Sequence, residues 1–391
     1  MTARKNFWTK LRLQSLSGRP IFVLAPMANV TDSVFRTIIA KYGKPDVMWT
    51  EFVSADGLVS AGRKRLLIDL RFSPKERPIV AQLFTGHPDA MRKAAKLVAK
   101  LGFDGLDINM GCPDRAVEKQ GGGAAMIKNP EMALAVLRAA REGVGVNKKS
   151  GKESGASGIP VSVKTRIGYN KVDLGWIRLL LHEGLVGRSG SQKGNVLPAL
   201  TIHLRTRKEM SDVPAHWEIM PEIVKLRDEV QKDLAPKDRT LIIGNGDVES
   251  VADGLEKTKE SGCDGVMIGR GIFGKPWLFG SIKNIKSQFV ALDLQEGVSV
   301  PGTPNVRLKI LLEHAKLFDE TFHSSNSVKS RVKPVKNFAV MKKHFKAYVS
   351  GWGGAKELRV KLMETNNINE VYKVIKEYMI SYRRSIDSML K

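Results

Sequence analysis

Short runs of apolar residues recur along the first 270 residues, and each is followed by a stretch with helical periodicity. Apolar runs bounded by turn-forming residues are typical of buried parallel strands. The eight runs are 21–27, 47–52, 79–84, 105–110, 159–165, 199–205, 240–246 and 264–270. Between the third and fourth runs, the pattern predicts a helix that begins near Pro88 and ends before Gly102. Its apolar face is expected to hold Met91, Ala94, Val98 and Leu101.

Eight units of strand and then helix predict an α/β fold, a closed (β/α)8 TIM barrel. The alternative, a doubly wound sheet, needs fewer strands and a glycine-rich turn after the first strand. The first apolar run ends instead in Ala-Pro-Met at residues 25–27. The barrel is therefore the favoured prediction.

The character of the chain changes near residue 304, after which helical patterns follow one another with no strand between them. Residues 304–391 contain 18 lysines and arginines against 8 acidic residues. We therefore predict a barrel over residues 1–300 and a small, basic, all-helical domain over residues 304–391. The other interpretation of the second part is a packing appendage with a solvated face. Glycine- and serine-rich segments at about 143–158 and 183–196 are expected to be surface insertions.

The charge of the whole chain points to a polyanionic partner. It has 64 lysines and arginines against 40 acidic residues, a formal net charge of +24. A field of that sign favours nucleic acid or an anionic membrane surface. No run of eighteen apolar residues and no basic segment beside an apolar anchor occurs, so nucleic acid is preferred. With only two cysteines, we expect no disulfide framework and a protein of the reducing cytoplasm. We also expect it to be a monomer.

Polar residues follow nearly every predicted strand. Since chemistry in such barrels collects at the C-terminal ends of the strands, these side chains are expected to meet at one mouth. Reading the ends in order gives Pro26 and Met27, Glu51, Gln82, Asn109 with Cys112, Lys164, His203 with Arg205, Asn245 with Asp247, and Gly269 with Arg270.

The last two strand ends predict a phosphate site. Gly246 and Gly269 lie where a barrel commonly holds a phosphate, and Arg270 could add a charge-assisted hydrogen bond. Lys164 could form a Schiff base, pair with a substrate or lie against an electron-rich ring. A phosphorylated cofactor is therefore expected, and composition alone leaves flavin and pyridoxal phosphate open.

Cys112 is the most distinctive candidate, since it lies in the turn Gly111-Cys112-Pro113 directly after the fourth run. A cysteine is most often a small core residue, but at a polar barrel mouth it could act as nucleophile or proton donor. No second cysteine or histidine lies at ligand spacing, so no metal site is expected.

Taken in order, eight motifs resemble those of the tRNA-dihydrouridine synthase family, from about residue 20 to residue 380. They are LAPMANVTDSVFR, TEFVSADGL, DINMGCP with GGGAAM, VSVKTRIG, IHLRTR, IGNGDV, VMIGRGIFGKPWLF and MKKHFKAYVSGWGGAKELR. Related flavin barrels share the phosphate motifs but lack this cysteine block and the basic tail.

The resemblance implies reduction of the C5–C6 double bond of particular tRNA uridines by FMN, which NADPH recharges. It implies that reduced FMN N5 passes hydride to C6 and that Cys112 donates the proton to C5. Asn109 and Arg205 are the candidates for orienting the uracil. The implied FMN contacts are Pro26, Met27 and Ala28 along the flavin, Gln82, Lys164 and His203 at its ring, and Asn245, Gly246, Asp247, Gly269 and Arg270 at ribityl and phosphate.

Two departures from the family pattern affect substrate contacts. A lysine frequent after the Cys-Pro motif is missing, and Arg115 or Lys119 could replace its charge. Leu204 stands where the family frequently has glycine, and is expected to narrow the loop after the sixth strand. Two other functions remain open: a flavin-dependent reductase of a small pyrimidine or activated alkene, and a tRNA-binding protein without catalysis.

Overall fold

The computed structural model describes residues 7–145, 158–185, 196–283, 303–323 and 335–389. Most of the two predicted insertions, residues 146–157 and 186–195, lies outside these ranges, as does the predicted domain boundary near residue 300.

The eight predicted strands all form, and they lie in one parallel sheet with the order β1-β8-β7-β6-β5-β4-β3-β2. Their bounds are β1 (Ile21–Leu24), β2 (Met48–Ser54), β3 (Ile79–Phe84), β4 (Gly105–Met110), β5 (Val161–Arg166), β6 (Ala199–His203), β7 (Leu241–Asn245) and β8 (Gly265–Ile268). A parallel bridge between Val23 and Val47 joins β1 to the residue before β2. The sheet therefore closes on itself, and the (β/α)8 barrel is confirmed.

The described residues form fourteen α-helices. They are α1 (Phe7–Leu16), α2 (Ser33–Tyr42), α3 (Ala55–Leu58), α4 (Arg63–Leu66), α5 (Pro88–Leu101), α6 (Arg115–Lys119), α7 (Pro130–Val144), α8 (Leu174–His182), α9 (Met220–Val230), α10 (Val251–Ser261), α11 (Pro304–Phe322), α12 (Met341–Tyr348), α13 (Ala355–Glu364) and α14 (Ile368–Met389). None of the helices in the described ranges has the length and hydropathy needed to span a bilayer.

Helix α5 shows how local sequence sets these elements. Pro88 occupies its first turn, where a missing N–H costs nothing, and Gly102 ends it with φ of 82°, a conformation that favours glycine. Met91 and Val98 are buried as predicted. Leu101 is not, being 39% exposed, because the helix ends there at the surface.

Helix α1 contributes to the barrel core. Trp8 and Leu11 are buried in a cluster with strand residues such as Val23, Trp49 and Ile243. The guanidinium of Arg12 donates to the carbonyl of Pro198, 3.1 Å away. This apolar layer fills the barrel beneath the polar strand ends.

The chain divides into two compact units. The first comprises residues 1–33 and 45–271 and contains the barrel. The second comprises residues 34–44 and 272–391, so most of α2 belongs with the C-terminal helices α11–α14. Its core includes Phe35, His314 and His344, whose rings lie within about 5 Å of one another between centroids.

Candidate active site at the barrel mouth

The predicted site residues all lie in the second half of a barrel strand or shortly after its end. Because side chains alternate along a strand, residues two apart on one strand point to the same side. Pairing in register brings Gln82 beside Asp107, and Asn109 beside Lys164. His203 pairs with Asn245 in the same way. The barrel thus gathers these side chains at one end.

The Cys112 turn is held by hydrogen bonds from its own backbone. The amide oxygen of Asn109 accepts from the N–H of Gly111 at 3.1 Å and of Cys112 at 2.9 Å. The Cys112 carbonyl accepts from the N–H of Ala124, 2.9 Å away. These three hydrogen bonds fix Cys112 at both its N–H and its carbonyl.

The glycines that follow Cys112 allow this packing. Gly123 has φ of 58°, and a Cβ there would lie only 2.5 Å from the Cys112 carbonyl oxygen. A side chain would therefore force the cysteine turn to move, so the GGGAAM segment is tied to the position of Cys112.

The Cys112 thiol is half-buried, and its surroundings favour the protonated form. Burial raises the pKa of the thiol above its ordinary value, although a backbone hydrogen bond from Asp114 and the charges of Lys164 and Arg166 act in the opposite direction. At neutral pH the group is therefore a thiol, with a proton to donate.

A buried carboxylate, Asp107, lies below the cysteine turn and was not predicted from sequence. It accepts from Gln82 Nε2 at 2.7 Å and from Ser162 Oγ at 2.6 Å. Burial raises the pKa of Asp107 to about 6, against the hydrogen bonds from Gln82 and Ser162. An acidic residue in the interior of the predicted strand GLDINM was the available signal.

Lys164 presents a partly buried ammonium to the same region. Among the described residues, its ammonium has no hydrogen-bond acceptor. Burial lowers its pKa to about 8, and the charge of Arg166 acts in the same direction. An electron-rich ligand at the mouth would satisfy this group.

Arg166 is a second residue that sequence reasoning missed. Its Nε donates to the Gly111 carbonyl at 2.8 Å, and one Nη donates to the carbonyls of Thr206 at 2.9 Å and Met210 at 2.8 Å. It therefore links the cysteine turn to the loop after β6. The sequence feature that could have identified Arg166 is its position two residues after Lys164, on the same side of β5.

Arg205 connects the ends of β6 and β7 and is itself buried, with 2% of its surface exposed. Its guanidinium donates to the Val213 carbonyl at 2.6 Å, to His203 Nε2 at 3.2 Å and to the Asp247 carboxylate. An arginine only donates, so His203 Nε2 accepts and the imidazole proton lies on Nδ1. Burial, aided by neighbouring cations, holds the pKa of His203 well below its ordinary value, and the ring is neutral.

Asp247 receives two arginines and a backbone N–H. Besides Arg205, it accepts from Ala215 N at 2.9 Å and from Arg270 Nη at 3.0 Å. Burial alone would raise the pKa of this carboxyl, but the Ala215 and Arg205 hydrogen bonds outweigh it and the pKa is lowered. Asp247 therefore aims Arg270, whose side chain is 66% exposed.

The phosphate site was predicted at the backbone around the ends of β7 and β8. Gly246 has φ of 128°, and a Cβ there would lie 2.7 Å from Ala215 Cβ. At Gly269 a Cβ would have no neighbour closer than 3.6 Å. The Asn245 amide donates to the Met267 carbonyl at 2.9 Å, which ties the two strand ends together.

The segment after β1 forms another part of the rim. Pro26 and Met27 are half-buried and Ala28 is exposed. The Met27 N–H donates to Thr31 Oγ1 at 2.9 Å, and the buried Glu51 carboxylate accepts from the Asn29 N–H. Glu51, noted as a polar strand end, thus supports this turn.

The two departures from the family pattern have clear positions. Arg115 and Lys119 are exposed on the short helix α6, directly after the cysteine turn. Leu204 is fully buried. In the described ranges, no cluster of three or more histidine, cysteine or acidic side chains could bind a metal ion.

Comparisons with known proteins match the chain over nearly its full length. The family model described as Dihydrouridine synthase (Dus) matches residues 23–381. The probable tRNA-dihydrouridine synthase 2 of Bacillus subtilis (strain 168) is 38% identical over 386 residues, 98% of this chain and 99% of that protein. The probable tRNA-dihydrouridine synthase of Staphylococcus aureus (strain COL) is 36% identical over 378 residues, 96% of each. A solved structure of morphinone reductase in complex with tetrahydroNAD is 13% identical, with a TM-score of 0.40, over 67% of this chain and 86% of that one.

Proposed function

Because the chain belongs to the dihydrouridine synthase family, and is thus an oxidoreductase, we propose that it reduces specific uridines in tRNA to dihydrouridine. The family resemblance drawn from the motifs is confirmed by the match. The observation that carries the chemistry is the protonated Cys112 thiol, fixed in a turn at the mouth of the barrel.

The residues at the mouth fit FMN as the hydride carrier. Bound FMN would supply hydride from N5 to C6 of the uracil, with NADPH as the source of the electrons. The Lys164 ammonium has no hydrogen-bond acceptor among the described residues, and would stabilise negative charge on a reduced flavin ring. Gln82 and neutral His203 are proposed as further ring contacts, and Pro26, Met27 and Ala28 as the wall beside it.

The phosphate end fits the other part of that cofactor. Gly269 follows β8 directly, Gly246 adopts a conformation that favours glycine, and Arg270 extends an exposed guanidinium held by Asp247. With Asn245 they are proposed to hold ribityl and phosphate. The carboxylate of Asp247 would act by aiming Arg270 rather than by touching the phosphate.

Cys112 is proposed to donate a proton to C5 of the uracil as negative charge develops there. General acid catalysis of this kind is typically worth about 10²–10⁴-fold in rate. The raised pKa keeps the proton available at neutral pH, and the Asn109 and Ala124 hydrogen bonds hold the donor in one place.

Uracil recognition by Asn109 and Arg205 stays a prediction. Asn109 uses its oxygen on the cysteine turn and one amide hydrogen on Gln82, which leaves a second hydrogen for a substrate carbonyl. The described partners of Arg205 are all within the protein. We propose that it acts mainly by orienting His203 and Asp247.

The net charge of +24 supports tRNA as the substrate. A uridine must leave its stack to enter the mouth, at a cost of a few kcal/mol, and phosphate contacts from lysines and arginines would offset that cost. A basic helical domain over residues 304–391 is proposed to provide part of them. Action as a monomer, in the cytoplasm, stays a prediction.

The test is mass mapping of unmodified tRNA incubated with the protein, FMN and NADPH. We expect a gain of two hydrogens at a defined uridine. With Cys112→Ala the rate should fall by about 10²–10⁴-fold. The variant Cys263→Ala, at the other cysteine, which is buried two residues before β8, should match the wild type.

The other outcomes identify the alternatives. NADPH consumed on a small pyrimidine, with no change in tRNA, would indicate a small-molecule reductase. Tight tRNA binding without flavin would indicate a non-catalytic RNA-binding protein. Full activity in Cys112→Ala would refute the proton-donor assignment.

A further inference from the structure

A continuous chain of hydrogen bonds runs from the barrel interior to the backbone of the cysteine turn. It starts at Asp107, whose carboxylate accepts from Gln82 Nε2 at 2.7 Å and from Ser162 Oγ at 2.6 Å. Asp107 and Gln82 are fully buried, and Ser162 is 2% exposed. Water therefore does not compete for these groups.

The carboxylate fixes the orientation of the amide above it. An ionised carboxylate accepts hydrogen bonds and cannot donate them, so Gln82 must turn its NH2 group toward Asp107. Its oxygen then faces Asn109 and accepts from Asn109 Nδ2 at 3.1 Å. With Asp107 as acceptor at one end and Asn109 Nδ2 as donor at the other, one orientation of the Gln82 amide satisfies both neighbours, and removing the carboxylate leaves Gln82 Nε2 without its acceptor.

The same constraint passes to the next amide. Because Asn109 directs its NH2 group at Gln82, its oxygen faces the cysteine turn and accepts from the N–H groups of Gly111 and Cys112. A reversed Asn109 amide would set its NH2 group against two backbone donors, which would open the turn.

We infer that Asp107 is a positioning residue for Cys112: its two acceptor oxygens set the amides of Gln82 and Asn109, and through them the place of the thiol. The inference deepens the proposed function and rests on it only for the role of the thiol as proton donor. The position of the thiol can be tested without tRNA.

Two substitutions separate hydrogen-bond polarity from mere occupancy of the space. Asp107→Leu removes both acceptors. Asp107→Asn removes the charge but keeps one oxygen for Gln82 Nε2, and the Ser162 hydroxyl can turn to accept from the new amide. The direction of the hydrogen bonds from Gln82 to the cysteine turn is therefore kept in Asp107→Asn and lost in Asp107→Leu.

The primary readout is iodoacetamide alkylation of the purified protein, with each cysteine followed by mass mapping. Freeing the turn exposes a half-buried thiol and moves its pKa toward the ordinary value, so Asp107→Leu should raise the Cys112 alkylation rate by about tenfold. Uridine reduction should fall by about 100-fold, the cost of a displacement of about 1 Å. In Asp107→Asn, the Cys112 alkylation rate and the rate of uridine reduction should both stay within about twofold of the wild type. Cys263, which is buried in the same unit, should keep its slow alkylation throughout.

Unchanged Cys112 alkylation in Asp107→Leu would overturn the inference, as would Asp107→Asn behaving like Asp107→Leu. If Cys263 in Asp107→Leu also reacts faster, the fold itself has opened. The same alkylation measurement on Gln82→Met then tests the inference, since this substitution interrupts the hydrogen-bond chain at the next residue after Asp107. In Gln82→Met, faster alkylation of Cys112 but not of Cys263 supports the inference, and an unchanged Cys112 alkylation rate overturns it. A wild-type protein that leaves tRNA unaltered would refute the proposed function while the alkylation contrast still stands.

Discussion

Replacing Gly123 by alanine tests whether the glycine segment holds the cysteine turn. A Cβ at this position would lie 2.5 Å from the Cys112 carbonyl oxygen and 2.8 Å from Val117 Cγ1. The backbone there also has φ of 58°. Two separate costs therefore apply, one from the backbone conformation and one from the steric overlap.

The two costs can be given magnitudes. A left-handed conformation costs a non-glycine residue about 1–2 kcal/mol, and overpacking a close contact typically costs about 1–3 kcal/mol more. Gly123→Ala should thus lower the free energy of unfolding by about 2–5 kcal/mol. The overlap is relieved only if the Cys112 carbonyl moves away, so uridine reduction should fall as well.

Gly262→Ala is the matched control. Gly262 has φ of 69°, ends α10 in the same compact unit, and has no atom within 4 Å of an added Cβ. It should therefore show only the conformational cost of about 1–2 kcal/mol, with unchanged activity.

The assay is urea unfolding of the three proteins, followed by the rate of uridine reduction. The difference between the two variants measures the overlap alone, since the conformational cost is common to both. Equal stability losses in Gly123→Ala and Gly262→Ala, with full activity in each, would refute the close packing of Gly123 against the cysteine turn.

Two further predictions concern the phosphate end and the helical unit. Arg270→Ala should weaken FMN binding by about 10–100-fold, the contribution of a charge-assisted hydrogen bond, as measured by flavin fluorescence titration. The control Arg178→Ala, at an exposed arginine on α8, should leave the affinity for FMN unchanged. Equal FMN affinities in the two variants would contradict the assignment of Arg270. His344 is fully buried, and in the described part of the chain neither of its ring nitrogens has a hydrogen-bond partner. Burial lowers its pKa to about 3 from 6.5, so the unfolded chain binds more protons and stability is lost as pH falls below about 6.5, by up to about 1.4 kcal/mol per pH unit. Thermal unfolding at pH 7.5 and 5.0 should show a smaller loss in His344→Leu than in the wild type, and an equal loss would show that another group is responsible.

The sequence by itself determined the barrel and the residues at its mouth. The runs 79–84 and 105–110 coincide with β3 and β4, because a strand buried on both faces reads as an uninterrupted apolar segment. The run 21–27 is longer than β1 (Ile21–Leu24), since apolar residues continue into a turn where Pro26 has no N–H for the ladder. Cys112 was identifiable because its turn follows a buried strand, a local property.

Only the tertiary structure decided which of these side chains contact each other. Asp107 meets Gln82 and Ser162 through the pairing of three strands, and strand register depends on contacts across the whole sheet. Arg205 was predicted as a substrate contact from its place after a strand, and only the structure shows that it donates to His203 and Asp247. Likewise, α2 follows β1 in sequence but most of it lies in the second compact unit. Apolar periodicity specifies which face of a segment is buried, and contacts between distant segments specify what that face is buried against.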